Sequence, residues 1–413
     1  MRTPSNAART VLAAIRPLPT ERLPLGAVLD RVIARDVESP IDLPAWDNSA
    51  MDGYAVRAAD VAPGAELQVV ETIPAGAFPT RPVAAGECAR IFTGAPLPDG
   101  ADTVIRQEDT TSTAAGMRID DPRDAGRNVR RRGEDIRRGS VVLEAGTALG
   151  PAQIGVLASI AQSEVDVHRT PVVAYMGSGD EIADLDERDA ILAGRKIASS
   201  NSYTIDAMIR RAGAVPLNLG IARDDPADIA RRLEGARDAD LLVTSAGISV
   251  GEHDHLRTVL ESLGGTLTFW RIRMRPGAPV GFGTLFGTTW LGLPGNPVST
   301  MVTFELFARA AIRRMQGHRR PFRRTRRVVS ADAMSLGPPL THFQRAVVSE
   351  EGDRLVARLT GAQGSGILTS MAQANALLVV PVDRREVRAG DTLRAILLDD
   401  PVHVESPDWE EAP

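Results

Sequence analysis

Three short segments of the 413-residue chain have the composition of anion-binding turns: "GSGDEI" (Gly177–Ile182), "TSAGISVGEHD" (Thr244–Asp254) and "GLPGNPVS" (Gly292–Ser299). Each mixes glycine or other small residues with hydroxyl or amide side chains. Such turns let backbone N–H groups face an anion, and a helix N-terminus adds partial positive charge. One such loop is weak, but three at one edge of a sheet would form an anion pocket. None matches a Walker lysine loop or a dinucleotide GxGxxG pattern. Glu181 and Asp254 lie in the first two loops. Beside phosphates, carboxylates serve to hold Mg²⁺, because bare they would repel the anion. Asp225 precedes Pro226 and reads as a helix N-cap, which leaves Asp224 freer to serve the pocket. His253 and His255 suggest zinc, but no second ligand cluster accompanies them and they would diverge at a helix start, so a structural role is preferred.

A second group of polar residues lies earlier in the chain. "WDNSAMDGYAV" (46–56) sets Asp47 and Asp52 among small polar residues and reads as an exposed loop before a strand. "RNVRRRGEDIRRG" (127–139) reads as a solvated arginine loop or as a phosphate clamp with Asp135 beside it.

The elements that must position these groups follow from periodicity. Residues 7–36 read as two short amphipathic helices. Short β-like runs broken by Gly and Pro fill 38–140. Residues 151–162 return to helix, with Pro151 in the first turn and Ile154, Leu157, Ala158 and Ala161 on one face. From 171 to 317, buried strands ("VVAYM", "VPLNLGI", "LLVTS", "TWLGL") alternate with helices, which predicts a doubly wound parallel α/β sheet. Ligands of such sheets bind at the carboxyl ends of the strands. "GHRRPFRRTRR" (317–327) reads as a solvated linker. Residues 328–405 carry strands without clear helices, a small β-barrel or sandwich.

The composition excludes several classes. Hydrophobic residues make up 43% and charged residues 24%, ordinary for a globular protein. No run approaches the roughly 20 apolar residues of a membrane span, and no signal peptide is evident, so a cytoplasmic location and no membrane partner are expected. The single cysteine, Cys88, excludes an internal disulfide. A net charge of −5 argues against nucleic-acid binding. Lys196 is the sole lysine, so a cation elsewhere in the chain is an arginine.

The ordered set "DNSAMDGYAV", "IFTGAPLP", "RRRGEDI", "SGDEI", "SN" (200–201), "GIARDDP", "SVGEHD", "GLPGNPVS", "FQRAVV" and "GAQGS" resembles the MoeA family of molybdopterin molybdenumtransferases, which is related to one domain of gephyrin. The resemblance runs essentially end to end. It implies a multidomain α/β chain: a mixed α+β N-terminal region (1–37 and 141–170), an inserted β-rich domain (38–140), a molybdopterin-binding α/β domain (171–317) and a C-terminal small β-barrel (318–413). It implies insertion of molybdate, as substrate, into adenylylated molybdopterin, with AMP released and Mg²⁺ assisting. It also implies a homodimer whose site lies between the α/β domain of one subunit and the N-terminal domains of the other. The adenylyltransferase and recipient molybdoenzymes are further candidate partners. Carried onto this sequence, the resemblance assigns Asp52, Asp135, Glu181, Asp254 and Arg275 to catalysis, with Glu181 and Asp254 as metal ligands. Substrate contacts fall to Thr93, Arg130, Ser178, Gly179, Asp180, Asn201, Asp224, Gly247, Ser249, Gly251, Pro294, Gly295, Asn296, Pro297, Arg345 and Ser365. The chain departs from the family at three places. "RPGAP" replaces "KPGKP", so Arg275 stands for the first lysine and Ala278 removes the second. Ala246 replaces a glycine, and Ser178 a threonine. The missing cation motivates an alternative reading, a carrier paralogue that holds the pterin without fast transfer.

Overall fold

A computed structural model describes residues 1–247 and 255–399. Within them the chain forms two compact units, residues 23–29 with 35–165, and residues 1–22, 30–34 and 166 onward.

The larger unit is built on a six-stranded sheet. Its elements are β1 (Val172–Ser178), α1 (Ser200–Arg211), β2 (Val215–Ala222), α2 (Pro226–Leu233), β3 (Leu241–Ser245), α3 (His255–Ser262), β4 (Thr266–Arg271), β5 (Pro279–Leu285), β6 (Thr288–Leu293) and α4 (Pro297–Thr303). The spatial order is β2-β1-β3-β6-β5-β4. The first four strands are parallel, as the alternation of strands and helices predicts. The β5 strand runs antiparallel to both β6 and β4, so the sheet is mixed. The cause is the connection lengths: only two residues separate β5 from β6, enough for a hairpin but too few for the helical crossover that parallel strands need.

Both faces of the parallel strands are covered. Val173, Tyr175, Leu241, Val243, Leu291 and Leu293 pack on one side with Ile205, Ile209, Phe304 and Phe307. Ala174, Met176, Leu242 and Trp290 pack on the other with Ile229, Leu233, Leu256 and Val259. This two-residue alternation with apolar residues at every position is the signature of strands sandwiched between helix layers. Asp225 caps α2, accepting from the Asp228 N–H at 3.0 Å, as its position before proline predicts. After α4 the helix continues through a π turn (Phe304–Ala308) to Met315.

In the same unit, strands Thr325–Ser330, Thr341–Glu351, Arg354–Leu359, Ala376–Val380 and Thr392–Leu397 close into a five-stranded barrel, because Thr341–Glu351 pairs with both Arg354–Leu359 and Ala376–Val380. The barrel carries one short helix, Leu368–Gln373, that periodicity did not reveal. The expected solvated linker is partly structural: Arg323 is bonded to buried Glu305 at 2.7 Å.

The smaller unit contains a six-stranded sheet in the order Thr103–Arg106, Gly53–Val56, Glu87–Ile91, Glu66–Ile73, Gly116–Ile119, Thr110–Thr113. Its helix Pro151–Ser159 starts at Pro151 but ends earlier than periodicity suggests and buries Leu157 rather than the whole expected face. Of the two helices expected in 7–36, only the first forms, as Pro4–Ala14 of the larger unit. The second is replaced by the strand Thr20–Pro24 and a single 3-10 turn, Leu25–Ala27. Asp30 takes a left-handed conformation (φ 63°), and the Ala34 N–H bonds to the Asp166 carbonyl instead of a helical partner.

Candidate functional site

A cleft of about 440 Å³ opens at the carboxyl ends of β1, β3 and β6, where open α/β sheets bind ligands. It gathers Ser178 and Glu181 from the first loop, Gly247 from the second, and Pro294, Gly295, Asn296 and Pro297 from the third. Asn201, at the start of α1, joins them.

Asn201 is the clasp. Its Nδ2 donates to Ser245 Oγ (2.8 Å) and to the Gly295 carbonyl (2.7 Å), tying α1 to the second and third loops. The Ala246 N–H donates to the Leu293 carbonyl at 3.1 Å. The Asn201 Oδ1 is buried and has no hydrogen-bond partner among the described residues. An orphaned acceptor is costly unless a ligand supplies the donor.

The first loop is shaped by Gly179, whose φ of 131° excludes most side chains. A Cβ there would lie 2.6 Å from Glu181 Oε2, so the Glu181 carboxylate folds back over the glycine. That carboxylate makes no hydrogen bond or ion pair to any described residue. Among the described residues, no cluster of three or more acidic, histidine or cysteine side chains could hold a metal. One free carboxylate nevertheless suits Mg²⁺, a hard cation that is held by one or two carboxylates while phosphates and waters complete its shell.

Ala246 takes a left-handed conformation (φ 73°), which glycine adopts without steric cost. Alanine in this region costs about 1 kcal/mol. Ala246→Gly is expected to stabilise the protein by about that amount, read as a raised melting temperature. An unchanged or lowered value would mean that the loop does not hold this strain.

Other predicted residues fall elsewhere. Gly179 and Asp180 line a neighbouring cavity of about 580 Å³, where the Lys196 ammonium donates to the Asp180 carbonyl. Asp180 and Asp224 exchange long contacts, each backbone N–H facing the other's carboxylate at 3.3–3.4 Å, so Asp224 supports the first loop from outside the cleft. Ser249, Gly251 and Asp254 lie outside the described residues. Arg275 is exposed but does not line the cleft. Its Nη1 lies 3.7 Å from a Cβ built on Gly337, and its charge helps hold down the pKa of His342, which burial chiefly lowers.

Arg345, expected to contact substrate, lies in the barrel and does not line the cleft. It is 0% exposed, and its guanidinium donates to Ser370 Oγ (3.0 Å) and to the Gly364 (2.9 Å) and Ala362 (3.4 Å) carbonyls. Through these bonds it shapes the 362–364 loop. The next residue, Ser365, accepts from the Val298 N–H at 3.1 Å through its carbonyl. That bond uses one of the N-terminal donors of α4 that the sequence offers to an anion.

In the smaller unit, Asp52 accepts from the Thr93 N–H (2.8 Å) and Thr93 Oγ1 (2.7 Å). These bonds, the backbone one foremost, hold its carboxyl below the usual carboxylate range. Thr93 therefore orients Asp52. In the arginine run, Arg131 and Arg132 are paired with Asp47 and Asp42 at 2.6 and 2.7 Å. Arg130 and Asp135 are exposed and make no side-chain bond to a described residue.

Sequence reasoning missed Ser199, Ser200 and Pro279, all of which line the cleft. The serine-rich "SSNS" at the start of α1 is the signal for the two serines, and "RPGAP" ends on Pro279.

Comparison with known proteins gives three matches to family models along the chain. Residues 2–161 match "MoeA N-terminal region (domain I and II)", 175–314 match "Probable molybdopterin binding domain" and 327–398 match "MoeA C-terminal region (domain IV)". The molybdopterin molybdenumtransferase of Haemophilus influenzae is 34% identical over 383 residues, covering 91% of this chain and 93% of that protein. The enzyme of that name from a Nostoc species is 36% identical over 390 residues, covering 92% and 89%. Among solved structures, a molybdopterin biosynthesis moeA protein of Pyrococcus horikoshii superposes with a TM-score of 0.82 at 28% identity, covering 96% of this chain and 100% of that one.

Proposed function

Because the chain belongs to the MoeA family of molybdopterin molybdenumtransferases, enzymes of molybdenum cofactor biosynthesis, we propose that it inserts molybdate into adenylylated molybdopterin and releases AMP. The observation that carries this reading is the cleft clasped by Asn201, with its orphaned Oδ1 acceptor beside three loops at one sheet edge. A pterin ring offers the N–H donors that such an acceptor lacks. The backbone of the glycine-containing loops would face the phosphates.

Glu181, together with Asp254, would hold Mg²⁺, which when bound withdraws charge from the phosphoanhydride link to AMP. The chain's own part is positional. Asn201 orients the pterin, Gly179 lets the Glu181 carboxylate stand free, and Asp52 is kept ionised and aimed by Thr93.

One observation favours the carrier reading as a second possibility: among the described residues, no arginine or lysine lines the cleft. A dianion beside a phosphate gains from each nearby cation. We propose that the family homodimer supplies it, with Asp52 and Arg130 of one subunit serving the cleft of the other. Light scattering should give a dimer; an active monomer would sink the shared site. Ala278 is half-buried and one residue from Pro279 of the cleft, so a lysine there would add charge nearby. Ala278→Lys is expected to lower the molybdate concentration needed for half-maximal AMP release about tenfold. An unchanged requirement would mean that the lost charge is already compensated.

A further inference from the structure

A separate cavity of about 170 Å³ lies along the far part of the long helix that follows the third loop, lined by Arg211, Glu305, Arg309, Arg323 and Asp399 among apolar side chains such as Met301 and Phe304. Among the described residues its charges do not balance. Glu305, 8% exposed, receives Arg323 Nε at 2.7 Å and stands 3.6 Å from Arg309 Nε. Arg211 is paired with Asp399. One carboxylate is thus shared by two largely buried guanidiniums, and a third, Arg313, sits one helical turn beyond Arg309 with its Nη2 3.2 Å from His318 Nδ1.

The bonds of these groups leave donors over. Arg323 uses only its Nε, so both of its Nη groups lack a protein acceptor among the described residues. Arg309 gives Nη1 to the Pro321 carbonyl at 3.3 Å, and its Nη2 has none. Buried cations without full pairing are expensive and call for a counter-charge. Their neighbours report the same excess. Burial, aided by the surrounding arginines and opposed by Glu305, holds the Arg309 pKa down at about 10, and burial followed by Arg313 and Arg309 holds that of His318 at about 4.

We propose that this cavity is a second anion site, distinct from the cleft, which takes a small tetrahedral oxyanion of the sulfate, phosphate or molybdate class between Arg309 and Arg323. The volume suits an anion of that size and falls short of the several hundred cubic ångströms of an ordinary pocket for a nucleotide or pterin. Arginine forks match oxyanion geometry, and the apolar side chains in the lining strengthen each charge-assisted bond. The proposal concerns residues outside the catalytic cleft and does not depend on the transfer reaction.

The test uses the full chain. Sulfate is titrated calorimetrically at constant ionic strength, with chloride as the balance, and crystals are soaked in selenate to locate the ion by its anomalous signal. We expect saturable binding, a selenium peak between Arg309 and Arg323, and binding weakened about tenfold or more in Arg323→Met. Arg323→Lys, which keeps the charge and loses the fork, should bind with intermediate strength, and it remains informative if the methionine variant fails to fold. An empty cavity in the selenate map, or sulfate affinity equal in wild type and both variants, would overturn the proposal.

Discussion

Glu181→Gln is expected to lower transfer about a hundredfold or more while leaving the melting temperature nearly unchanged. The carboxylate lines the cleft, folds over Gly179 and is bonded to no described residue, so the fold spends nothing on it. Glutamine has almost the same shape and loses only the charge. A charge that held no metal and met no substrate could be removed at little cost to activity. Normal turnover in Glu181→Gln would therefore remove this residue from the proposed metal site. A large loss of thermal stability would show instead that the side chain has a structural partner.

Arg345→Met is expected to fail differently, losing both stability and activity. Three acceptors, Ser370 Oγ and the Gly364 and Ala362 carbonyls, depend on the buried guanidinium. Leaving such groups unpaired costs about 1–3 kcal/mol each where water cannot reach them, partly offset because a desolvated cation is removed as well. A net loss of about 3 kcal/mol is expected, with the 362–364 loop released and the Ser365–Val298 bond at the start of α4 weakened. Lysine should not rescue, because it lacks the planar fork that serves three acceptors at once. A direct substrate contact would give the opposite pattern, with activity lost at an unchanged melting temperature. Hydrogen exchange at Val298 adds a local reading, rising in the variant only if Arg345 acts through the loop.

The architecture was legible where periodicity is strong. Strands such as Val172–Ser178 and Leu241–Ser245 are short apolar runs bounded by glycine or aspartate, and their alternation with amphipathic helices left little choice of fold. The hairpin of Pro279–Leu285 and Thr288–Leu293 was less visible, since a buried strand looks the same in either direction and only the short connection decides. The helix expected after Leu25 fails through long-range hydrogen bonding that no local pattern carries.

The cleft was legible through its loops, because glycine, serine and asparagine at strand ends have few other uses. The details depended on contacts. Nothing in "FQRAVV" shows that its arginine is fully buried and bonded to the 362–364 loop; only the tertiary contacts do. Nor could spacing show that Arg275 turns toward Gly337 and His342, or that Ala246 pays for the absence of a glycine with a left-handed backbone.

The most direct measurement is reconstitution of the purified chain with adenylylated molybdopterin, molybdate and Mg²⁺, following AMP. The account predicts AMP release that requires molybdate and Mg²⁺ together, saturates with molybdate and is lost in Glu181→Gln. Tight binding of the adenylylated pterin with no AMP released at any molybdate concentration would contradict it and leave the chain a carrier.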